Sequence, residues 1–147
     1  MDNKLRSKTR LVAIQLISQQ LLSKEDIDSI KDDFDKYYRN TIIDENLGKI
    51  QYNVNFLSKL LSYYKTINFK DLSKEINQII KFDRQFSKWD IINQSIILMT
   101  ISEIRNSEKE KIKIILNDYI EISKSFVSDK ETKLINSILD KLINEKI

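Results

Sequence analysis

The stretch DIINQSIILMTISEI, residues 90–104, carries apolar side chains at Ile91, Ile92, Ile96, Ile97, Leu98, Ile101 and Ile104. At 100° per residue these positions fall on several sides of a helix, so the segment needs neighbours all round it. It reads as a core helix, started by Ser87 with Asp90 three residues on. A second segment of this kind occupies residues 3–22, where the apolar positions from Leu11 to Leu22 take up nearly every face. Two helices buried on all sides require others to cover them.

Five covering helices can be read. Ser23 with Asp26 gives a capping-box-like start, followed by Ile27, Ile30, Phe34, Tyr37 and Tyr38 at helical spacing. The next runs through Ile43, Leu47, Ile50, Val54, Leu57, Leu61 and Tyr64, stepping by four and three residues as an amphipathic stripe does. Phe69, Leu72, Ile76, Ile79 and Ile80 mark a fourth helix of the chain, and KFDRQFSK at 81–88 reads as a polar connection. Beyond the core helix, residues 109–126 carry Ile112, Ile115, Leu116, Tyr119, Ile120 and Ile122. Ser128 with Glu131 then caps a last helix through Leu134, Ile135, Ile138, Leu139 and Leu142. With no Pro and Gly48 as the only glycine, strand and hairpin punctuation is nearly absent. The expectation is an all-α, single-domain bundle of about seven helices and no strand over residues 1–147, without internal repeat or linker.

Composition narrows the chemistry. There is no Cys and no His, which removes disulfides, thiolate nucleophiles, zinc-thiolate sites and the commonest general base. A ferritin-like di-iron site needs Glu-x-x-His pairs, and a glycine-rich phosphate loop needs more than one glycine. An enzyme is therefore the least favoured class, and no cofactor is expected. No window approaches the roughly 18 unbroken apolar residues of a membrane span. Gln15 interrupts the apolar run LVAIQLI at 11–17, with no small-residue cleavage pattern after it, so the start reads as mature protein. A soluble, cytoplasmic protein with no membrane partner is expected.

Of 25 cations and 22 anions, residues 1–10 hold four cations and Asp2, leaving 21 of each sign in the rest of the chain. The whole net charge of +3 thus sits in residues 1–10, with all four cations in KLRSKTR, residues 4–10. On a straight helix Arg6 and Arg10 stack at i, i+4, as do Lys4 and Lys8, but the two pairs point to nearly opposite sides. Either the segment is extended, with all four cations able to reach one polyanion, or only one pair makes close contact. Arg forks and Lys charges suit phosphate, whereas the bland reading is a solvated, frayed end. Tyr37, Tyr38, Tyr63, Tyr64 and Trp89 offer rings for base stacking, but Tyr64, Trp89 and one of each tyrosine pair lie on apolar stripes and read as core. Asp32, Asp33 and Asp35 alternate with Phe34 and Lys36 and read as a solvated face.

The stretch ILNDYIEISKSFVSDKETKLINSILDKL, residues 115–142, resembles the NusB transcription antitermination family. The family pattern is I-N-E-x-(I/V)-E-(L/I)-A-K-x-F, then F-V-N-G-V-L-D-K after a short spacer. Asn117, Asp118, Glu121, Lys124, Phe126, Asn136, Leu139, Asp140 and Lys141 stand at matching positions without a gap. Upstream, SIILMTISEI at 95–104 is similar to A-I-L-R-L-A-I-Y-E-L, with Glu103 matched. RSKTRLVAIQ is similar to R-R-x-A-R-x-x-A-x-Q through Arg6, Lys8, Arg10, Ala13 and Gln15. Residues 24–80 match only as helices.

The resemblance implies an all-α, NusB-like, RNA-binding protein that holds the boxA element of nascent RNA together with NusE, a small-subunit ribosomal protein. The complex would assist the transcription elongation complex through terminators, notably in ribosomal RNA operons. By position it implies RNA contact through Arg6, Lys8 and Arg10, with Lys133 at the start of the last helix as a weaker candidate. It leaves open whether the free protein is a homodimer. Four positions depart from the pattern: Ser18 for Tyr, Leu98 for Arg, Leu134 for Phe and Ser137 for Gly. Related domains precede RNA cytosine methyltransferases, but no glycine-rich cofactor site follows here and the stand-alone form is expected. The alternative is a helical protein-interaction module whose basic end is incidental.

Overall fold

The computed structural model describes residues 1–38, 42–44, 48–49, 51–80 and 84–144. Seven α-helices are present among them: α1 (Asn3–Ser23), α2 (Ile27–Tyr38), α3 (Val54–Tyr64), α4 (Phe69–Ile79), α5 (Ile91–Arg105), α6 (Ile112–Ser123) and α7 (Asp129–Asn144). Single 3-10 turns at Phe86–Lys88 and Lys109–Lys111 lead into α5 and α6.

Helices α1 and α5 are the two central ones, as their apolar faces require. They pack on each other, and together they touch α2, α3, α6 and α7. In α5 every residue from Gln94 to Ile104 is buried. In α1, Val12, Ala13, Ile14, Leu16 and Ile17 are buried, continuous with Ile27, Ile30, Leu57, Leu61, Ile76, Tyr119 and Ile138 in one apolar core. Helix α4 reaches the centre less directly, packing on α7 and on the turn at Phe86–Lys88.

The long third helix does not form as expected. Ile42–Asp44 (β1) and Gly48–Lys49 (β2) pair as a minimal antiparallel ribbon, where an unbroken helix and no strand were anticipated. Leu47 and Ile50, two steps of the expected stripe, lie outside the described residues. Helix α3 begins only at Val54, because Asn53 takes an extended conformation and its side-chain oxygen accepts from Phe56 N–H at 2.8 Å. A side chain that satisfies an orphan N–H favours a start over a continuation.

Two of the expected caps shift. Ser23 is the last residue of α1, and Lys24 closes that helix in the left-handed region, φ 64°, its N–H meeting the Gln20 carbonyl at 2.8 Å. The following helix starts one turn later, with Ile30 N–H on the Asp26 carbonyl. Ser87 lies in the 3-10 turn and Asp90 makes no side-chain cap bond, so α5 is set instead by Gln94, which donates to the Trp89 carbonyl at 2.7 Å. The expected polar connection also contains Phe86, which is fully buried and packs edge-on against Trp89; its first three residues, 81–83, lie outside the described set. Ser128 caps α7 as anticipated: its oxygen accepts from Glu131 N–H at 3.2 Å.

Candidate nucleic-acid interface

The basic run is helical from Asn3 onward. Asp2 caps it, its carboxylate accepting from Leu5 N–H at 2.7 Å. This excludes the extended reading and places the four cations on a rigid frame. Lys4 and Arg6 are exposed, and Arg6 donates locally to Asn3 Oδ1 at 3.1 Å. Lys8 is half-buried and donates to Gln51 Oε1 at 2.8 Å, while Thr9 Oγ1 accepts from Asn53 N–H at 2.9 Å. The first turns of α1 are therefore stitched to the segment that starts α3.

Arg10 points the other way. It is 7% exposed. Its Nε and Nη2 donate to the two oxygens of Glu103 on α5 at 2.8 and 2.6 Å, and its Nη1 donates to Asp118 Oδ2 on α6 at 2.6 Å. The guanidinium carbon stands 5.5 Å from the ring centroids of both Phe56 and Tyr119, within cation–π range of each. Burial opposes the charge, but the hydrogen bonds and attraction of Glu103 and Asp118 outweigh it and hold the group above its ordinary range. Tyr119 donates to Glu103 Oε1 at 2.6 Å, and burial first, then the Glu103 charge, push its phenol well up. Arg10 thus ties four helices together in the interior, whereas the resemblance grouped it with the RNA-contacting cations. The helical spacing had paired Arg10 with Arg6, but Arg6 lies one turn nearer the helix start and stays exposed, so the division falls within that pair.

Lys133 is exposed on the first turns of α7. That helix packs chiefly on α4, α5 and α6, whereas α1 packs chiefly on α2, α3, α5 and α6. Near it, Asn93 on α5 donates to Glu131 Oε2 at 2.9 Å, and Ser128 Oγ lies 3.1 Å from Glu131 Oε1. These bonds, Asn93 foremost, lower the Glu131 carboxyl from its ordinary value. Between α6 and α7 runs an open groove of about 480 Å³, lined by Lys109, Lys113, Asn117, Asn136 and Asp140 among others. Among the departures, Ser18 bonds to Ser95 Oγ at 2.8 Å, Leu98 is fully buried, Leu134 half-buried and Ser137 exposed.

Of the remaining aromatic and acidic candidates, Tyr37 is exposed. Tyr64 is half-buried and donates to Gln20 Oε1 at 2.6 Å. Asp35 is paired with Lys31 at 2.6 Å and accepts from Tyr52 at 2.7 Å, and Asp32 and Asp33 are exposed. No cluster of three His, Cys, Asp or Glu side chains fit to hold a metal occurs among the described residues. No helix of the described residues is long and apolar enough to cross a membrane. Sequence reasoning noted Glu103 and Asp118 without seeing that they converge on Arg10. The signal was available: a carboxylate inside the apolar run of α5 needs a buried cation.

Three residues from the three resembling segments, Arg10, Glu103 and Asp118, therefore meet at one point. The NusB family model matches residues 7–144, nearly the whole chain. The chain belongs to the NusB family. A relative from Blochmanniella floridana, named transcription antitermination protein NusB, is 32% identical over 145 residues, covering 97% of this chain and 94% of its own length. Namesakes from Rickettsia felis and Rickettsia bellii are 28% and 29% identical, each covering 98% of this chain and 96% and 94% of their own lengths. Within the NusB match lie Lys8, Arg10, Glu103, Asp118 and Lys133, and Arg6 stands just ahead of it.

Proposed function

We propose that this chain is a non-enzymatic transcription antitermination factor of the cytoplasm, built as one NusB-like domain over residues 1–147. It binds boxA-type single-stranded RNA together with NusE, as part of the transcription elongation complex serving ribosomal RNA operons. Membership of the NusB family and the names of its relatives support the role. The observation that carries the RNA reading is the fixed turn with Lys4, Arg6 and Lys8 outside and Arg10 taken up inside. Arg6 and Lys8 are the cations offered to phosphate, Lys133 is a further one, and Arg10 acts by holding the turn.

The test is RNA binding by the isolated chain across salt, with and without NusE. Two or three phosphate contacts to a single strand give a log–log slope of roughly −1.4 to −2. NusE should tighten binding. A flat salt dependence, or indifference to NusE, returns the protein to the interaction-module reading. Sedimentation of the free protein decides between monomer and homodimer.

A further inference from the structure

The Arg10 cluster contains more negative charge than it needs. Glu103 alone occupies Nε and Nη2 of Arg10 and also accepts from Tyr119, which closes the buried part of the network. Asp118 lies further out, its side chain 21% exposed against 6% for Glu103. One Asp118 oxygen faces Arg10 Nη1, and the other stands 2.6 Å from Ser7 Oγ. Ser7 falls between Arg6 and Lys8. Its hydroxyl has one proton and two acceptors in range, Asp118 Oδ1 at 2.6 Å and the Asn3 carbonyl at 3.1 Å. The shorter, charge-assisted partner takes it.

We propose that Ser7 and Asp118 are positioning residues for the basic turn, a latch that fixes the helical frame carrying Arg6 and Lys8 to α6. Lys8 to Gln51 and Thr9 to Asn53 secure the opposite side of the same turn, so the frame is held from both flanks. Preorganised cations lose less freedom when phosphate arrives, and the latch contributes to affinity without touching RNA. This inference rests on the RNA-binding reading for its functional half and not for its structural half.

Ser7→Ala removes the latch hydroxyl and leaves the Arg10 pairs intact. Amide exchange at Ser7, Lys8 and Thr9 should quicken about tenfold while the α5 amides keep their protection. RNA affinity should fall about five- to tenfold with the salt slope unchanged, and Ser7→Thr, which restores the hydroxyl, should recover both. Unchanged exchange in Ser7→Ala overturns the proposal. So does unchanged RNA affinity alongside faster exchange, because the latch would then hold the turn without serving its cations. If the wild-type chain binds no RNA, the functional reading fails, and the exchange measurement still decides whether the latch exists.

Discussion

At Arg10, one buried cation meets two carboxylates and two aromatic rings drawn from α3, α5 and α6. An ion pair of this kind adds little over a well-packed apolar substitute, but breaking it by removing one partner leaves a charge stranded in the interior. Arg10→Met should therefore destabilise the protein by about 3–5 kcal/mol in urea unfolding, whereas a change at exposed Arg6 should stay within about 0.5 kcal/mol. Tyr119 adds a pH signature. Its phenol is held neutral well above its ordinary value of 10.0, so the unfolded chain loses that proton first as pH rises. The stabilisation is complete below pH 10 and is lost through the alkaline range above it. Tyr119→Phe should flatten the fall in unfolding free energy above pH 10, at the cost of one hydrogen bond to Glu103 at neutral pH.

At the scale of elements, helices α1 and α5 were legible because apolar residues on several faces leave no other pattern, although α1 keeps one face in solvent at Gln15, Gln19 and Leu22. Helices α6 and α7 were legible because Ser128 caps where a Ser with Glu three residues on should. The start of α3 was not. A four-and-three stripe from Ile43 to Tyr64 satisfies helical periodicity, yet periodicity cannot tell a helix from a ribbon followed by a helix on the same face. The decision lies in the Asn53 cap and in its backbone bond to Thr9, a contact across the fold. Asn53→Ala should cost about 1 kcal/mol and loosen amide protection in the first turn of α3 more than elsewhere. The same limit applies to the site: the spacing of KLRSKTR put Arg6 and Arg10 on one face, but only the packing of α5 and α6 against α1 takes Arg10 inside and leaves Arg6 exposed. Glu103 and Asp118 stand 93 and 108 residues from Arg10, beyond the reach of any local pattern.

For the whole molecule, the first ten residues combine an interior role with the proposed contact to RNA. Ser7, Thr9 and Arg10 serve the interior and its seams, while Lys4, Arg6 and Lys8 carry the surplus charge of a chain that is otherwise balanced. Removing residues 1–10 is thus a poor probe of RNA binding, since it takes the cation from buried Glu103 and part-buried Asp118. That truncation should lower the melting temperature sharply, by the loss expected for an uncompensated buried charge. Exchanging Arg6 and Lys8 together for Gln separates the two roles. The melt should stay close to that of the unaltered chain, RNA affinity should fall, and the salt slope should shrink by about 1.4, which is about 0.7 for each cation. An unchanged slope in this double variant would move the phosphate contacts away from α1, leaving Lys133 and the groove between α6 and α7 as the surface to test next.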